Sequence, residues 1–307
     1  MGSPPFATPI LERLLQSDSH EVVGLVTPPD RPRGRGREVV RSELATLADR
    51  AGLTVIQPKS TKDQSFVDAL AALGAEALAV ASYGEILRTN ILEMCPHGAL
   101  NVHGSLLPRW RGASPIQRAI AAGDAETGVS IQRMVLALDA GDVILEKRTA
   151  IGPNETAADL FDRLSLLGAD ALIEALDQLD AGTATFTPQD PDAVTLAPKL
   201  KKEDGRIDFR EPADEVARHV RAMTTWPGAR TTLPDGRDLV VLEAQATDIA
   251  GGNATTGELM AADGLVIAAG DGTTVRLVTV KPAGKGAMDG AAFLRGTRLE
   301  AGQRLGE

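Results

Sequence analysis

Cysteine is almost absent from this chain. A single one, Cys95, among 307 residues excludes an internal disulfide and a zinc site built from cysteines, and it reads as an inert buried thiol. Aromatic side chains are scarce as well. Six Phe, two Trp and one Tyr are too few for a protein that reads single-stranded nucleic acid by stacking its bases. Positive charge is in the minority, with 32 Lys and Arg against 42 Asp and Glu, so a net charge of −10 argues against non-specific coating of nucleic acid. No run of apolar residues is long enough to span a membrane. The opening MGSPPFATPIL lacks the basic-then-apolar pattern of a secretory signal. These absences point to a cytoplasmic protein without membrane contact. His20, His97 and His219 have no companion ligand at useful spacing, so no metal is expected.

What is present is an ordinary globular composition, 43% hydrophobic and 24% charged, in a chain long enough for two domains. The first half alternates helical and strand patterns, the signature of an α/β domain with a mostly parallel sheet. Ile10, Leu11, Leu14 and Leu15 make a helical stripe, Val22 to Val26 a buried strand, and Leu44, Leu47 and Ala48 the next helix. Further strands are expected at 54–56, 77–81, 99–103 and 127–135. From Ala157 to Leu179 apolar residues keep a 3.6-residue period, which predicts one long helix closing the first domain, 1–181. Residues 182–204 mix Thr, Pro, Asp and Lys without a period and read as a linker. In 205–307 a helix carrying Val216, Val220 and Met223 precedes short strands. Turn pairs such as Asp235-Gly236, Asp263-Gly264 and Asp271-Gly272 separate them, the pattern of a small β-barrel. One oddity is the start. Such α/β domains open with a hydrophobic strand, and here the first strand of the sheet is apparently missing.

The densest stretch is ALNVHGSLLPRWRGASPIQRAI, 99–120. Asn101 and His103 lie two apart on a strand, so both side chains leave one face, at the carboxyl end where open α/β sheets bind ligands. Asp139 sits in the Leu138-Asp139-Ala140-Gly141 turn that should end the following strand. An amide, an imidazole and a carboxylate, with no serine or cysteine nucleophile built into the trio, suit direct transfer of an acyl carbon to an incoming amine. The carbonyl oxygen becomes negative along that path, and one hydrogen-bond donor aimed at it is typically worth about 3 kcal/mol. A carboxylate beside an imidazole favours the protonated, donating form.

The stretch NVHGSLLPRWRGASPIQRAIAAGDAETGVSIQRMVLALDAGDVI resembles the formyltransferase family that uses 10-formyltetrahydrofolate, and PPDRPRGRG at 28–36, ASYGEIL at 81–87, KLKKEDGRIDF at 199–209 and TWPGA at 225–229 extend the likeness over nearly the whole chain. The resemblance implies a Rossmann-like catalytic domain, a linker and a carboxyl-terminal barrel of the OB type. It implies that Asn101, His103 and Asp139 are the catalytic trio and that Ser105, Leu106, Leu107 and Pro108 contact folate. Ser82, Tyr83, Gly84, Ile86 and Leu87 would line the pterin pocket, although Ile86 and Leu87 fit plain core packing equally well. It implies transfer of the formyl group of 10-formyltetrahydrofolate, as co-substrate, to the amino group of methionine on initiator tRNA, by a monomer. An amino-sugar nucleotide is the alternative acceptor, and a non-catalytic tRNA-binding homologue the alternative role. No G-x-G-x-x-G follows a strand, so the fold does not imply a dinucleotide.

A net-acidic chain needs a local device to hold tRNA. Arg31, Arg33, Arg35, Arg37 and Arg41 supply one, spaced by glycines that let backbone approach a phosphate, and guanidinium forks grip phosphates two bonds at a time. That grip suits a contact with the tRNA acceptor arm, and the resemblance assigns the corresponding loop to initiator tRNA. Glu38 and Glu43 interrupt its charge. Trp110 fits either a stacking role or simple packing.

Overall fold

The computed structural model describes residues 1–33 and 38–306 and divides the chain into two compact units. The first comprises Met1–Pro115, Glu126–Ala150 and Phe161–Ala197, and the second Ile116–Ala125, Ile151–Leu160 and Pro198–Glu307. The elements in chain order are α1 (Ala7–Leu15), β1 (Gly24–Val26), β2 (Arg31–Arg33), β3 (Glu38–Val40), α2 (Glu43–Arg50), β4 (Thr54–Ile56), α3 (Gln64–Ala71), β5 (Leu78–Val80), α4 (Thr89–Leu92), β6 (Ala99–His103), β7 (Arg111–Gly112), α5 (Pro115–Ala122), β8 (Glu126–Arg133), β9 (Val143–Ala150) and α6 (Ala157–Asp180). After them come β10 (Leu196–Ala197), α7 (Ala213–Ala222), β11 (Arg230–Thr232), β12 (Asp238–Thr247), β13 (Val266–Ala268), β14 (Thr274–Pro282), β15 (Met288–Asp289) and α8 (Gly290–Arg295).

In the first unit β1 pairs with β4 and β5 with β6, both parallel, as the alternating helices require. The sheet then turns antiparallel, in the order β5-β6-β8-β9. The fold is therefore α/β and rich in parallel pairing, with an antiparallel flank that the alternating pattern does not reveal. Strand β6 is buried at all five positions and lies between β5 and β8, the most enclosed place in the sheet. Apolar side chains from α3, β5 and α4, with Leu87, Cys95 and Ala99, form one core cluster on it. Burial pushes the Cys95 thiol pKa up.

The opening strand is not wholly absent. The Gly2 amide donates to the Val26 carbonyl at 2.9 Å, and the Ala81 amide to the Met1 carbonyl at 3.0 Å, so Met1–Ser3 lie as a short parallel stub between the ends of β1 and β5. Behind the stub, between β1 and β5, is a cavity of about 500 Å³ whose walls include Leu11, Leu14, Leu44, Leu73, Leu172 and Leu176. The Thr27 amide bonds to Ile56 and the Leu78 amide to Gly98. Strand alternation therefore turns the amides of Val26 and Ala79 the other way, into that gap.

The segment 182–197 hydrogen-bonds into the first unit. Thr187 exchanges both backbone bonds with Val143 at 2.9 Å, and β10 pairs in parallel with β7. In the second unit the strands form an antiparallel sheet in the order β11-β12-β14-β13, with β15 on β14. A register irregularity near Val241 and Glu243 bends β12 and curls the sheet. Helix α7 packs on β12 and β14 through its buried stripe Val216, Ala217 and Val220. No pairing of β11 with β13 closes the curl into a barrel among the described residues.

Candidate active site

Strand β6 ends in a buried polar corner. Asn101 and His103 project from its one face, and β8 runs antiparallel beside it with Gln132 opposite Asn101 and Ser130 opposite His103. The chain leaves β8, turns back, and delivers Asp139 to the same face. The Asp139 carboxylate is ringed by donors. Oδ1 accepts from Gln132 Nε2 at 2.9 Å and Asn101 Nδ2 at 3.5 Å, and Oδ2 accepts from the Gly112 amide at 2.9 Å. His103 Nδ1 stands 3.7 Å from Oδ2, with both side chains largely out of solvent.

The imidazole is held from its other side. Nε2 lies 3.0 Å from the Trp110 carbonyl, and because a carbonyl can only accept, Nε2 carries the hydrogen. Nδ1 is thus the ring atom facing the carboxylate, at a separation too long for a direct hydrogen bond. Asn101 spends one amide hydrogen on Asp139 and keeps a second for another acceptor.

Backbone geometry here is unusual. Ser82, Trp110 and Asp139 all take positive φ, at 51°, 64° and 45°, in a chain where the only other described non-glycine residue to do so is Asp271. Asp tolerates the left-handed region, but Trp does not, and such residues persist only where surroundings over-determine them. For Trp110 those surroundings are the Thr195 hydroxyl, which accepts from its amide at 2.8 Å, and the Arg109 guanidinium 4.4 Å over its ring.

The HGSLLP segment serves this corner as a braced turn. Ser130 Oγ accepts from the Leu107 amide at 3.0 Å and donates to the Ser105 carbonyl at 2.8 Å, while Ser105 Oγ donates to the Arg109 carbonyl at 2.6 Å. Ser105 and Leu107 are buried, and Leu106 and Pro108 partly exposed. In 82–87 the two apolar neighbours part company. Leu87 is 4% exposed and sits in the core cluster, whereas Ile86 is 82% exposed. Ser82 and Gly84 are exposed, and Tyr83 is half-buried with its phenol pKa pushed up to about 12 by burial and by Glu85.

Of the arginines, Arg31 is exposed on a two-stranded antiparallel hairpin formed by β2 and β3. Arg33 lies on that hairpin too, and Arg35 and Arg37 fall outside the described residues. Arg41 is already engaged. It donates twice to the Asp49 carboxylate at 2.7 Å, and to Asp30 at 3.3 Å and Gln57 at 2.9 Å. Its guanidinium holds the Asp49 pKa below the usual carboxylate range.

Three groups of the corner escape a reading of the sequence. Gln132 has a signal only once the register of β6 on β8 is known, Gly112 acts through its backbone amide, and Gln189 lies in the aperiodic 182–204 segment. Gln189 Nε2 donates to the carbonyls of Asp139 at 2.9 Å and Gly141 at 2.7 Å, and its Oε1 accepts from Arg111 Nε and Nη2 at 3.0 and 2.8 Å. Beside them, Val135, Leu136 and Leu138 stand exposed on the loop that carries Asp139.

Residues 1–176 match the family model described as formyl transferase, and residues 199–298 the model described as formyl transferase, C-terminal domain. The chain is 44% identical over 308 residues to the methionyl-tRNA formyltransferase of Anaeromyxobacter dehalogenans strain 2CP-C, covering 98% of each. It is 40% identical to that of Geobacter metallireducens, covering 100% of this chain and 97% of that one. Among solved structures, an N-formyltransferase from Helicobacter canadensis, in complex with folinic acid and dTDP-3-aminofucose, shares the fold with a TM-score of 0.63. It is 16% identical and covers 89% of this chain and 96% of its own.

Proposed function

The chain belongs to the formyl transferase family, and from that premise we propose that it moves the formyl group of 10-formyltetrahydrofolate to the free amino group of methionine on initiator methionyl-tRNA. The supporting observation is the convergence of Asn101, His103 and Asp139 on one buried face at the end of β6. The strong, near full-length likeness to methionyl-tRNA formyltransferases selects the acceptor.

The geometry supports the following roles. The spare Asn101 amide hydrogen donates to the formyl oxygen as negative charge gathers there, in a site where water competes poorly. His103, with Nε2 committed to Trp110, uses Nδ1 to take the proton that the attacking amine loses and to return it to the departing folate nitrogen. Asp139, gripped by donors from β6, β7 and β8, orients the imidazole and Asn101 together. The braced 105–108 turn and residues 82–87, with exposed Ile86, contact the folate. Arg31, Arg33, Arg35 and Arg37 hold tRNA phosphates, while Arg41, tied to Asp49 and Asp30, supports the base of the β2–β3 pair. We assign catalysis to 1–181 and an OB-type barrel to 205–307, joined by 182–204, in a cytoplasmic monomer. No helix among the described residues is long and apolar enough to cross a membrane.

The test is direct. Purified protein is offered 10-formyltetrahydrofolate with charged initiator methionyl-tRNA or with an amino-sugar nucleotide, and formylated product is measured by mass spectrometry. Product on the tRNA alone supports the reading; product on the sugar alone overturns it.

A further inference from the structure

The Asp139 carboxylate is placed by a loop, and the loop needs a fastener of its own. Asp139 takes a left-handed φ of 45°, and a Cβ on Gly141 would meet the Arg133 carbonyl oxygen, so the 139–141 backbone is pressed against β8 with no slack. On the loop's other flank stands Gln189, with both amide hydrogens on the carbonyls of Asp139 and Gly141. Which end of that amide faces the loop is decided by chemistry. Arg111 has only donors to offer, so the oxygen of Gln189 must turn to it and the NH₂ must turn to the carbonyls.

We propose that Gln189 is a positioning residue for formyl transfer, which sets the Asp139 carboxylate against His103 and Asn101 by clamping two backbone carbonyls, with Arg111 locking the orientation of its amide. It touches no reacting atom. Release of the clamp lets the loop relax from its left-handed turn and moves the carboxylate out of line, and misplacements near 1 Å can cost about 100-fold in turnover.

The inference rests on the formyl-transfer reading, so its experiment has an arm that does not. Gln189→Ala and Gln189→Glu are compared with wild type for kcat, KM of both substrates, the pH profile, and hydrogen exchange of the amides at 139–142. Gln189→Ala is expected to lower kcat by at least about tenfold with either KM changed less than about threefold, and to speed exchange in that loop. Gln189→Glu keeps the acceptor for Arg111 but turns carboxylate oxygens on the two carbonyls. Its kcat is expected to be low at neutral pH and to recover relative to wild type as pH falls, when a protonated carboxyl regains a donor. A merely structural side chain would give no such recovery. Wild-type kcat in both variants, a change confined to KM, or unaltered exchange at 139–142 overturns the proposal. Should Gln189→Ala fail to fold, the pH behaviour of Gln189→Glu decides. If wild type formylates nothing, the reading of function fails, and the exchange measurement still judges the clamp.

Discussion

At the carboxyl end of β6 each oxygen of one carboxylate has donors beside it, whereas between β1 and β5, in the same unit, about 500 Å³ stands open, lined by leucines and by polar groups such as His20, Glu21 and His97. The first place is over-determined. Cross-strand neighbours, a backbone amide and two glutamines converge on Asp139, and three non-glycine residues hold left-handed backbone nearby. The second place is under-determined, since only the Met1–Ser3 stub bridges strands whose inward amides face the gap. The contrast teaches that fixing a buried carboxylate takes several converging donors, whereas a void between strands bears on stability.

The strongest way to break that contrast is to strike the corner. His103→Ala and Asp139→Ala should each lower kcat by at least about 100-fold, close to 2.7 kcal/mol of transition-state stabilisation, with filter-binding affinity for tRNA nearly unchanged. Activity surviving either change would show that the corner does not do the chemistry. Next in size is a change that touches neither place. Replacing Arg31, Arg33, Arg35 and Arg37 with alanine together should weaken tRNA binding about tenfold or more and flatten the dependence of log affinity on log salt, with kcat at saturation retained. An unchanged slope removes the hairpin from the interface.

The gap itself should respond in stability alone. Fusing about five β-branched apolar residues ahead of Met1 supplies an extended strand for the open amides, and calorimetry should show Tm raised by about 4 °C or more with kcat held. Equal Tm values would mean the gap is not a weakness. The smallest effect belongs to the second unit. Burial lowers the pKa of His219 from 6.5, and its Nε2 has no partner. The unfolded chain therefore binds that proton more readily, so stability present above pH 6.5 is lost as pH falls below it, at no more than about 1.4 kcal/mol per pH unit. Denaturant titrations of His219→Phe should lose that slope.

How much of this is visible in the sequence follows from the range of the interactions. Strand β6 is read at 99–103 as it stands in the structure, and the long helix ends within one residue of its expected limit, because periodic apolar residues report local burial. Asn101 and His103 share a face by strand geometry alone. The antiparallel turn of the sheet at β8 and the pairing of β10 with β7 depend on partners dozens of residues away, which no local pattern encodes. Leu87 and Ile86 are indistinguishable as letters, yet one is core and the other open to solvent. Gln189 is the hardest case. A polar residue in an aperiodic run shows its use only when the chain has brought two carbonyls and a guanidinium to it.

That late residue also sets a timetable for synthesis. Asn101, His103 and Asp139 have all left the ribosome well before Gln189 and β10, the segment that fastens their loop and pairs with Arg111–Gly112. A nascent chain halted at the end of α6 would already own the three side chains proposed for catalysis without the proposed latch, so on that reading competence should arrive only with the final stretch of the first unit.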